Sequence, residues 1–403
     1  MDSTVQNLEG TKRPPAVLLS WPNIGGGLII CAFLTSPFLR SLFFARGRRW
    51  VYILLISFAF AYTLTPLIGR FAHLLGVLDY PAQRKIHHQP TPLLGGVAVF
   101  LASLVAIVSN EIFFVENTAI LLASGFIVLL GMADDVWQLP AWLKLFVQLL
   151  ATTIVVKGGV ILTLFPSSPA GDFFNLLLTF LWVIGVTNAF NFFDGMDGLV
   201  AGLGMISAFF LGLVSFTTNQ PALGWFAVAL LGGCLGFLPY NFRLGRPALI
   251  FLGEAGSTSL GFMLSTLAIV GDWSEHSPLI SVCSPLLIFA VFIYDMIHIT
   301  VARIWRGDVR GFLDWIQYTG KDHLHHRLYN LFHNRVASVV FIYGLNIAFG
   351  LGALALKGAD LPEALLLVTQ AATMLFLVGI LENQGNMPRT PYSHDDSGSR
   401  TEQ

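Results

Sequence analysis

The sequence predicts an all-α polytopic membrane protein, and three observations carry that reading. Of its 403 residues, 55% are hydrophobic and only 11% charged, against about 25% charged in soluble domains. Apolar runs of about 20 residues, the length that crosses a bilayer, recur from Leu18 to Leu381. Cationic residues alternate between loops in the manner of a positive-inside array.

Hydropathy places eleven spans, at about 51–76, 94–110, 119–133, 142–157, 173–190, 199–217, 222–240, 255–271, 279–302, 336–356 and 363–381, with a twelfth candidate at 17–44. Residues 1–16 form a polar segment without the basic-then-apolar order of a signal peptide. Residues 17–381 then make one transmembrane domain. Residues 382–403, polar and carrying Gly, Pro, Ser and Asp, read as a disordered tail.

Alternate loops and the helix ends beside them hold Arg84, Lys85, Lys144, Arg243, Arg246, Arg303, Arg306, Arg310, Lys321, Arg327 and Arg335, whereas the intervening loops hold only Lys157 and Lys357. The first set is therefore expected to face the cytoplasm. Residues 17–44 resist this scheme. If they span, Arg46, Arg48 and Arg49 fall on the outer face, so either the segment does not fully cross or the bias is locally broken.

Several function classes drop out. A net charge of −1 gives no general attraction for nucleic acid. Cys31, Cys234 and Cys283 lie singly in apolar runs, without metal or disulfide spacing. The run Gly25–Gly27 lacks the Lys and Ser/Thr of a P-loop.

Five polar segments fall at the ends of helices on the cationic side. In Asp79–Gly96, Pro81, Pro90 and Pro92 break helical pattern, and Arg84, Lys85 and His87 suit a phosphate group or a lipid-headgroup anchor. Asp134 and Asp135 end the next span, with Lys144 and Gln148 beyond. Two adjacent acids disfavour each other's ionisation unless a cation lies between them. Asn188, Asn191, Asp194 and Asp197 recur every three residues, so neighbours in the series share a helix face. Their oxygens suit Mg²⁺, which is often held by few carboxylates plus substrate phosphates, or hydrogen bonds to a base or ribose. The fourth segment runs from Gly236 through Tyr240, Asn241, Arg243 and Arg246 to Glu254 and Ser257. It presents a helix N-terminus that favours anions. In the fifth, His323, His325, His326 and Arg327 can donate hydrogen bonds to a pyrophosphate, and no cysteine accompanies them to suggest zinc. Asp295 and His298, three apart in a span, read as a buried polar pair.

At these segments the chain resembles the polyprenyl-phosphate N-acetylhexosamine-1-phosphate transferase superfamily. The matching text is DYPAQRKIHHQPTPLLGG, GMADD, NAFNFFDGMDGL, GFLPYNF with FLGEAGS, and HLHHR, in the family's order across roughly residues 75–335. The resemblance implies transfer of a sugar-1-phosphate, GlcNAc-1-phosphate by the form of the histidine motif, from a UDP-sugar to undecaprenyl phosphate, with release of UMP. It implies a Mg²⁺ cofactor, with Mn²⁺ as the alternate ion. The setting is the bacterial cytoplasmic membrane and the first membrane step of a cell-envelope polysaccharide. The partners are UDP-sugar, polyprenyl phosphate and membrane lipid, with no nucleic acid; a homodimer is compatible with the sequence.

Carried over residue by residue, Asp134 and Asp135 match the paired acids, one of which orients or deprotonates the lipid phosphate. Asn191 matches a magnesium ligand. Asp194, Asp197 and Asn188 match the nucleotide and metal region, and His325 and His326 match the pyrophosphate- or sugar-contacting histidines. Arg84, Lys85, His87, Lys144, Asn188, Arg243, His323 and Arg327 are the candidate substrate contacts. Two departures stand out. Glu254 occupies the place of a metal-ligating Asp, and Gly320 that of an Asp before the histidines, with Asp322 as its candidate substitute. A catalytically altered family member is the first rival, and it predicts a gain of activity in Glu254→Asp. A transporter is the second, but it would gather polar groups near the midplane, whereas here they gather at one face.

Overall fold

The structure, a computed structural model, describes residues 21–81, 89–274, 278–309, 311, 320 and 322–385. Among these residues the chain is helix and connecting loop save for one short strand pair. Helices α1 (Trp21–Leu34) and α2 (Pro37–Ala45) precede the long α3 (Arg49–Leu75). Strands β1 (Leu78–Asp79) and β2 (Thr91–Pro92) pair antiparallel, with Leu78 opposite Pro92 and Asp79 opposite Thr91. There follow α4 (Gly95–Ser109), α5 (Val115–Trp137), α6 (Ala141–Lys157), α7 (Pro169–Phe193), α8 (Leu199–Thr217), α9 (Pro221–Asn241) and α10 (Gly253–Val270). The last third holds α11 (Pro278–Ile288), α12 (Ala290–Arg306), α13 (Leu324–Phe332), α14 (Arg335–Leu356) and α15 (Leu361–Gly385).

Each of the eleven expected spans falls on one of these helices or, once, on a pair of them. By length and hydropathy, however, seven helices among the described residues qualify as membrane-crossing, or nine if each of two bent pairs is one span. The shortfall has a physical reason. Helices α4 and α6 are only 15 and 17 residues long. Helix α10 is rich in Gly, Ser and Thr, and almost every one of its residues is buried in protein, so it faces neighbours rather than lipid. Its hydroxyls are spent internally: Thr258 Oγ1 donates to the Glu254 carbonyl (2.5 Å), Ser259 Oγ to Ala255 (2.6 Å) and Thr266 Oγ1 to Phe262 (2.7 Å). Back-bonding of this kind removes the cost of a polar side chain in an apolar layer.

Three stretches show more detail than hydropathy carries. The span at 279–302 is two helices, α11 and α12, meeting at 79°. Pro285 in α11 cannot donate its ladder hydrogen bond, and the chain turns at Phe289. Residues 17–44 likewise contain a 58° break between α1 and α2. Helix α1 runs antiparallel to α3, with Cys31 against Thr63 and the Tyr52 hydroxyl on the Leu34 carbonyl (2.8 Å). The guanidinium of Arg49 stacks on Phe44 and Trp225 and donates to the Asn110 carbonyl, so Arg49 lies at the end of the bundle remote from Asp134. Finally, the tail does not begin at residue 382: α15 continues to Gly385, and Glu382 is fully buried.

Helix α10 is the centre of the bundle, packed by α5, α7 and α4. The approach is close because it is lined by small residues, the device membrane helices use where no solvent drives association. A Cβ on Gly96 would overlap the Gly256 backbone, and one on Gly131 would overlap Ala255. The backbone N–H groups of Gly95 and Gly96 donate to the Phe251 and Leu252 carbonyls (3.0 and 2.8 Å), while Phe251 N–H donates to the Pro92 carbonyl (2.9 Å). Two stretches over 150 residues apart are thus laced together at one face.

Gly131 and Gly125 lie on the same helix, but a Cβ at Gly125 meets nothing within 4 Å. Gly131→Ala is expected to lower the unfolding temperature in detergent, whereas Gly125→Ala leaves it unchanged or raises stability by up to about 1 kcal/mol. Equal shifts at the two positions would remove the crossing as a determinant of stability.

Candidate active site

The laced face carries the site. Gly253, the first residue of α10, has φ +76°, and a Cβ there would come within 2.7 Å of Asp135 Oδ2. That vacancy admits the Asp135 carboxylate to the helix N-terminus, where Oδ1 accepts from Glu254 N–H (2.9 Å) and Oδ2 from Ala255 N–H (3.4 Å). Free amide donors and the helix dipole both favour an anion at this position. Asp134 is held differently: Oδ1 accepts from Leu139 N–H (2.7 Å) and Oδ2 meets Lys144 Nζ (3.4 Å).

Lys144 also reaches Glu254 Oε1 (3.2 Å), so one ammonium bridges carboxylates from α5 and α10. Asn191 Nδ2 donates to the same Glu254 oxygen (2.9 Å), and its Oδ1 accepts from Ser257 Oγ (3.1 Å). The Asn191 amide therefore orients Glu254, with its own oxygen turned toward Ser257.

These groups border a cavity of about 400 Å³ lined by Asp79, Asp134, Asp135, Asp194, Asp197 and Glu254, with Asn191, Gln138, Asn241, His326 and Arg335 and the apolar Leu93, Met196 and Phe251. Six carboxylates around so small a space leave a large excess of negative charge, which Lys144 and Arg335 offset only in part. Asp194 registers it: burial first, then the charges of Asp135, Glu254 and Asp197, push its carboxyl up to about 8. A cavity that raises a carboxyl so far favours an added cation. Among the described residues no three His, Cys, Asp or Glu side chains converge as a ready metal cage.

The remaining candidates form a supporting layer. Asn188 pairs reciprocally with Gln148 (2.8 and 3.3 Å), joining α7 to α6. Asp197 accepts from Ala248 N–H (3.0 Å), and Asn241 accepts from Gly198 N–H (2.8 Å) while donating to Ile250 (3.0 Å). Arg243 donates to the Pro247 carbonyl within its own loop (3.2 Å) and does not line the cavity. His323 and Arg327 also stand behind it: both bond the buried Asp295, at 2.8 and 3.1 Å. Arg84, Lys85 and His87 lie outside the described residues. His325 is buried against Gly195 and Phe193, and neither ring nitrogen finds a hydrogen-bond partner among the described residues. Burial, then the neighbouring His326, His323 and Arg327, hold its pKa well below the ordinary histidine value, so the ring is neutral.

Asp322, the candidate substitute for a cavity acid, is committed elsewhere. Its oxygens meet Arg303 Nε (2.9 Å) and Nη2 (2.6 Å) and Arg306 Nη2 (3.2 Å). Asp295 was legible as a carboxylate inside an apolar run. Glu382 was not, because it sits at the last turn of its run and resembles the start of a polar tail.

Fold and cavity together define a polytopic membrane protein with an acidic cavity at one end of its helices. The model of glycosyl transferase family 4 matches residues 117–272, a stretch that contains the acid pair, the Asn/Asp series and Glu254. A Bacillus subtilis (strain 168) protein named "Probable undecaprenyl-phosphate N-acetylglucosaminyl 1-phosphate transferase" is 31% identical over 329 residues, 80% of this chain and 89% of that protein. The decaprenyl-phosphate N-acetylglucosaminephosphotransferase of Mycobacterium leprae (strain TN) is 33% identical over 324 residues, 72% of this chain and 79% of its own. The undecaprenyl-phosphate alpha-N-acetylglucosaminyl 1-phosphate transferase of Yersinia pestis is 27% identical over 339 residues, covering 82% and 88%. The chain belongs to glycosyl transferase family 4, among the polyprenyl-phosphate hexosamine-1-phosphate transferases.

The Asp322 pair gives a pH test. Burial alone would raise this carboxyl, but the hydrogen bonds and charge of Arg303 outweigh it and hold the group down at about 2. A folded pKa below the ordinary value contributes stability above about pH 4 and loses it as pH falls through about 2. Solvent access reduces the contribution to on the order of 1 kcal/mol. Asp322→Asn should therefore lower the melting temperature at pH 7, with the gap from wild type closing between pH 4 and pH 2. A gap that persists at pH 2 would assign the loss to packing instead.

Proposed function

We propose that the protein transfers GlcNAc-1-phosphate from a UDP-sugar to a polyprenyl phosphate, undecaprenyl phosphate in a bacterial membrane, and releases UMP. The observation that carries the proposal is the cavity itself: acids from α5, from α10 and from the turn after α7 converge with His326 and Arg335 at one end of the bundle. The named activities of the relatives agree with it. So does the geometry of supply, since a lipid phosphate can reach the helix ends by moving along the membrane.

In the proposed reaction an oxygen of the lipid phosphate attacks the β-phosphorus of the UDP-sugar. The bond from that phosphorus to the bridging oxygen breaks, and the oxygen leaves with UMP. The product is a polyprenyl diphosphate sugar. A phosphate monoester has a second pKa near 6, so the acceptor is largely dianionic at neutral pH, and the main requirement is alignment and charge neutralisation. Asp134, fixed between Leu139 N–H and Lys144, orders the acceptor end. Lys144, Arg335 and His326 face the phosphate charges, and Asn241 lies at the cavity wall beside Asp197.

The proposed cofactor is Mg²⁺, with Mn²⁺ as the alternate. The excess of carboxylates fits it, because a pyrophosphate cannot enter a space so lined with acids uncompensated. Glu254 and Asp194 would hold the ion, Asn191 joining them once its Oδ1 turns from Ser257, and the ion would supply charge neutralisation to the transferring phosphoryl group. We place the cavity on the cytoplasmic side, where UDP-sugars are made. The cationic residues of that end, Lys144, Arg243, Arg246, Arg303, Arg306, Arg327 and Arg335, support the placement.

Purified protein given UDP-GlcNAc, undecaprenyl phosphate and Mg²⁺ should release UMP, and a chelator should abolish the release. Asp134→Ala should reduce turnover by at least a hundredfold; full activity in that variant would end its assignment. For Glu254 the contacts predict loss on shortening, since its length lets one oxygen meet both Lys144 and Asn191. Glu254→Asp is expected to cut kcat at least tenfold, and a rise would instead favour a catalytically altered member of the family.

A further inference from the structure

We infer that Glu382, at the end of the last helix, is a positioning residue for the histidine helix of the active site, so that α15 is part of the catalytic framework rather than a peripheral span. The inference rests on the transferase reading above.

The chain of contacts is short. Helix α13 begins at Leu324, and its N-cap residue His323 makes no capping hydrogen bond with its own side chain. The cap comes from another helix: Asp295 of α12 accepts from Leu324 N–H (2.7 Å) and bonds His323 Nδ1 (2.8 Å). Arg327, one turn along, donates Nη2 to the same carboxylate (3.1 Å). On its other side Arg327 Nε lies 3.1 Å from Glu382 Oε2, an ion pair without an aligned hydrogen bond. Glu382 Oε1 accepts from the Tyr294 hydroxyl (2.9 Å), with His298 Nε2 at 3.5 Å. Asp295 and Glu382 are wholly inaccessible, and Arg327 is 7% exposed.

Removing one member of such a buried set leaves its partner charged and unpaired, which costs far more than the pair contributes. Asp295 and Glu382 meet two different nitrogens of the guanidinium, Nη2 and Nε, so the rotational setting of α13 depends on both. That setting aims the first turn, where His325 packs on Gly195 and His326 reaches the cavity. Glu382 is not among the residues that line the cavity; it acts through Arg327.

The test compares Glu382→Gln, which keeps the shape and removes the charge, with Glu382→Asp and with Tyr294→Phe, which withdraws only one hydrogen bond. Glu363→Gln, an exposed position on the same helix, is the control. Expected results are a kcat reduced at least tenfold in Glu382→Gln with KM for UDP-GlcNAc changed less than threefold, partial recovery in Glu382→Asp, a two- to fivefold loss in Tyr294→Phe, and no change in the control. Amide exchange over residues 322–332 should accelerate at least tenfold in Glu382→Gln while exchange over α10 stays at the wild-type rate. A Glu382→Gln protein with kcat within twofold of wild type and unaltered exchange over 322–332 overturns the inference. Should that variant not fold, Tyr294→Phe decides, unchanged kcat and exchange counting against. Wild-type protein inactive on every substrate offered would sink the transferase reading alone, because the exchange measurement needs no turnover.

Discussion

The carboxylate of Asp135 lies across the first N–H groups of α10, and the rest of the site is measured from that contact. It requires a glycine at 253, because a side chain there would occupy the carboxylate's place. It requires α4 and α5 to approach α10 at backbone distance, through Gly96 and Gly131. With those conditions met, Glu254 projects toward Lys144 and Asn191, and Asp194 is brought near enough to feel both Asp135 and Glu254. A charged group in so apolar a setting is tolerated because each oxygen has a donor or a cation to meet. The arrangement is an electrostatic balance weighted toward negative charge, and an added cation would relieve it.

Behind the cavity the protein spends polar residues on orientation. Gln148 and Asn188 join α6 to α7; Asn241 joins the start of α8 to the chain ahead of α10; Asp295 caps a helix that has no cap of its own. Such supporting contacts convert side chains on separate helices into one rigid constellation, since placement within a fraction of an ångström is what phosphoryl transfer demands. The three histidines illustrate the division of labour. One reaches the cavity, one is a neutral packed ring, and one is a hydrogen-bonding cap, although they sit within four residues of sequence.

The helices were legible because hydropathy over twenty residues is a strong signal, and the expected spans coincide with helices to within a few residues at most ends. What hydropathy does not carry is direction within a span. The turn at Phe289 and the break after Leu34 come from local prolines and packing, while the count of true crossings depends on how much of α10 meets lipid. For the site, spacing of acids and amides pointed to the helix ends that converge on the cavity, because carboxylates in apolar runs are costly and seldom idle. It could not separate cavity groups from supporting ones. His323, Arg327, Asn188 and Arg243 have the same chemistry as groups that bind phosphate, and only their partners in space reveal that they hold protein. Glu382 was invisible for the opposite reason: its partner, Arg327, lies 55 positions away, and nothing local marks it.

The lacing of Gly95 and Gly96 to Phe251 and Leu252 also sets an order of events during synthesis. The acid pair on α5 leaves the ribosome well before the α10 amides that satisfy Asp135. At 5–20 residues per second the interval between Asp135 and Ala255 is on the order of ten seconds. For that time two carboxylates wait at a helix end without their partners, exposed to any quality-control protein that recognises unsatisfied charge at a membrane. The contact from which the site is built thus closes well after its acids are made, and a pause in translation between α6 and α10 would lengthen that stage.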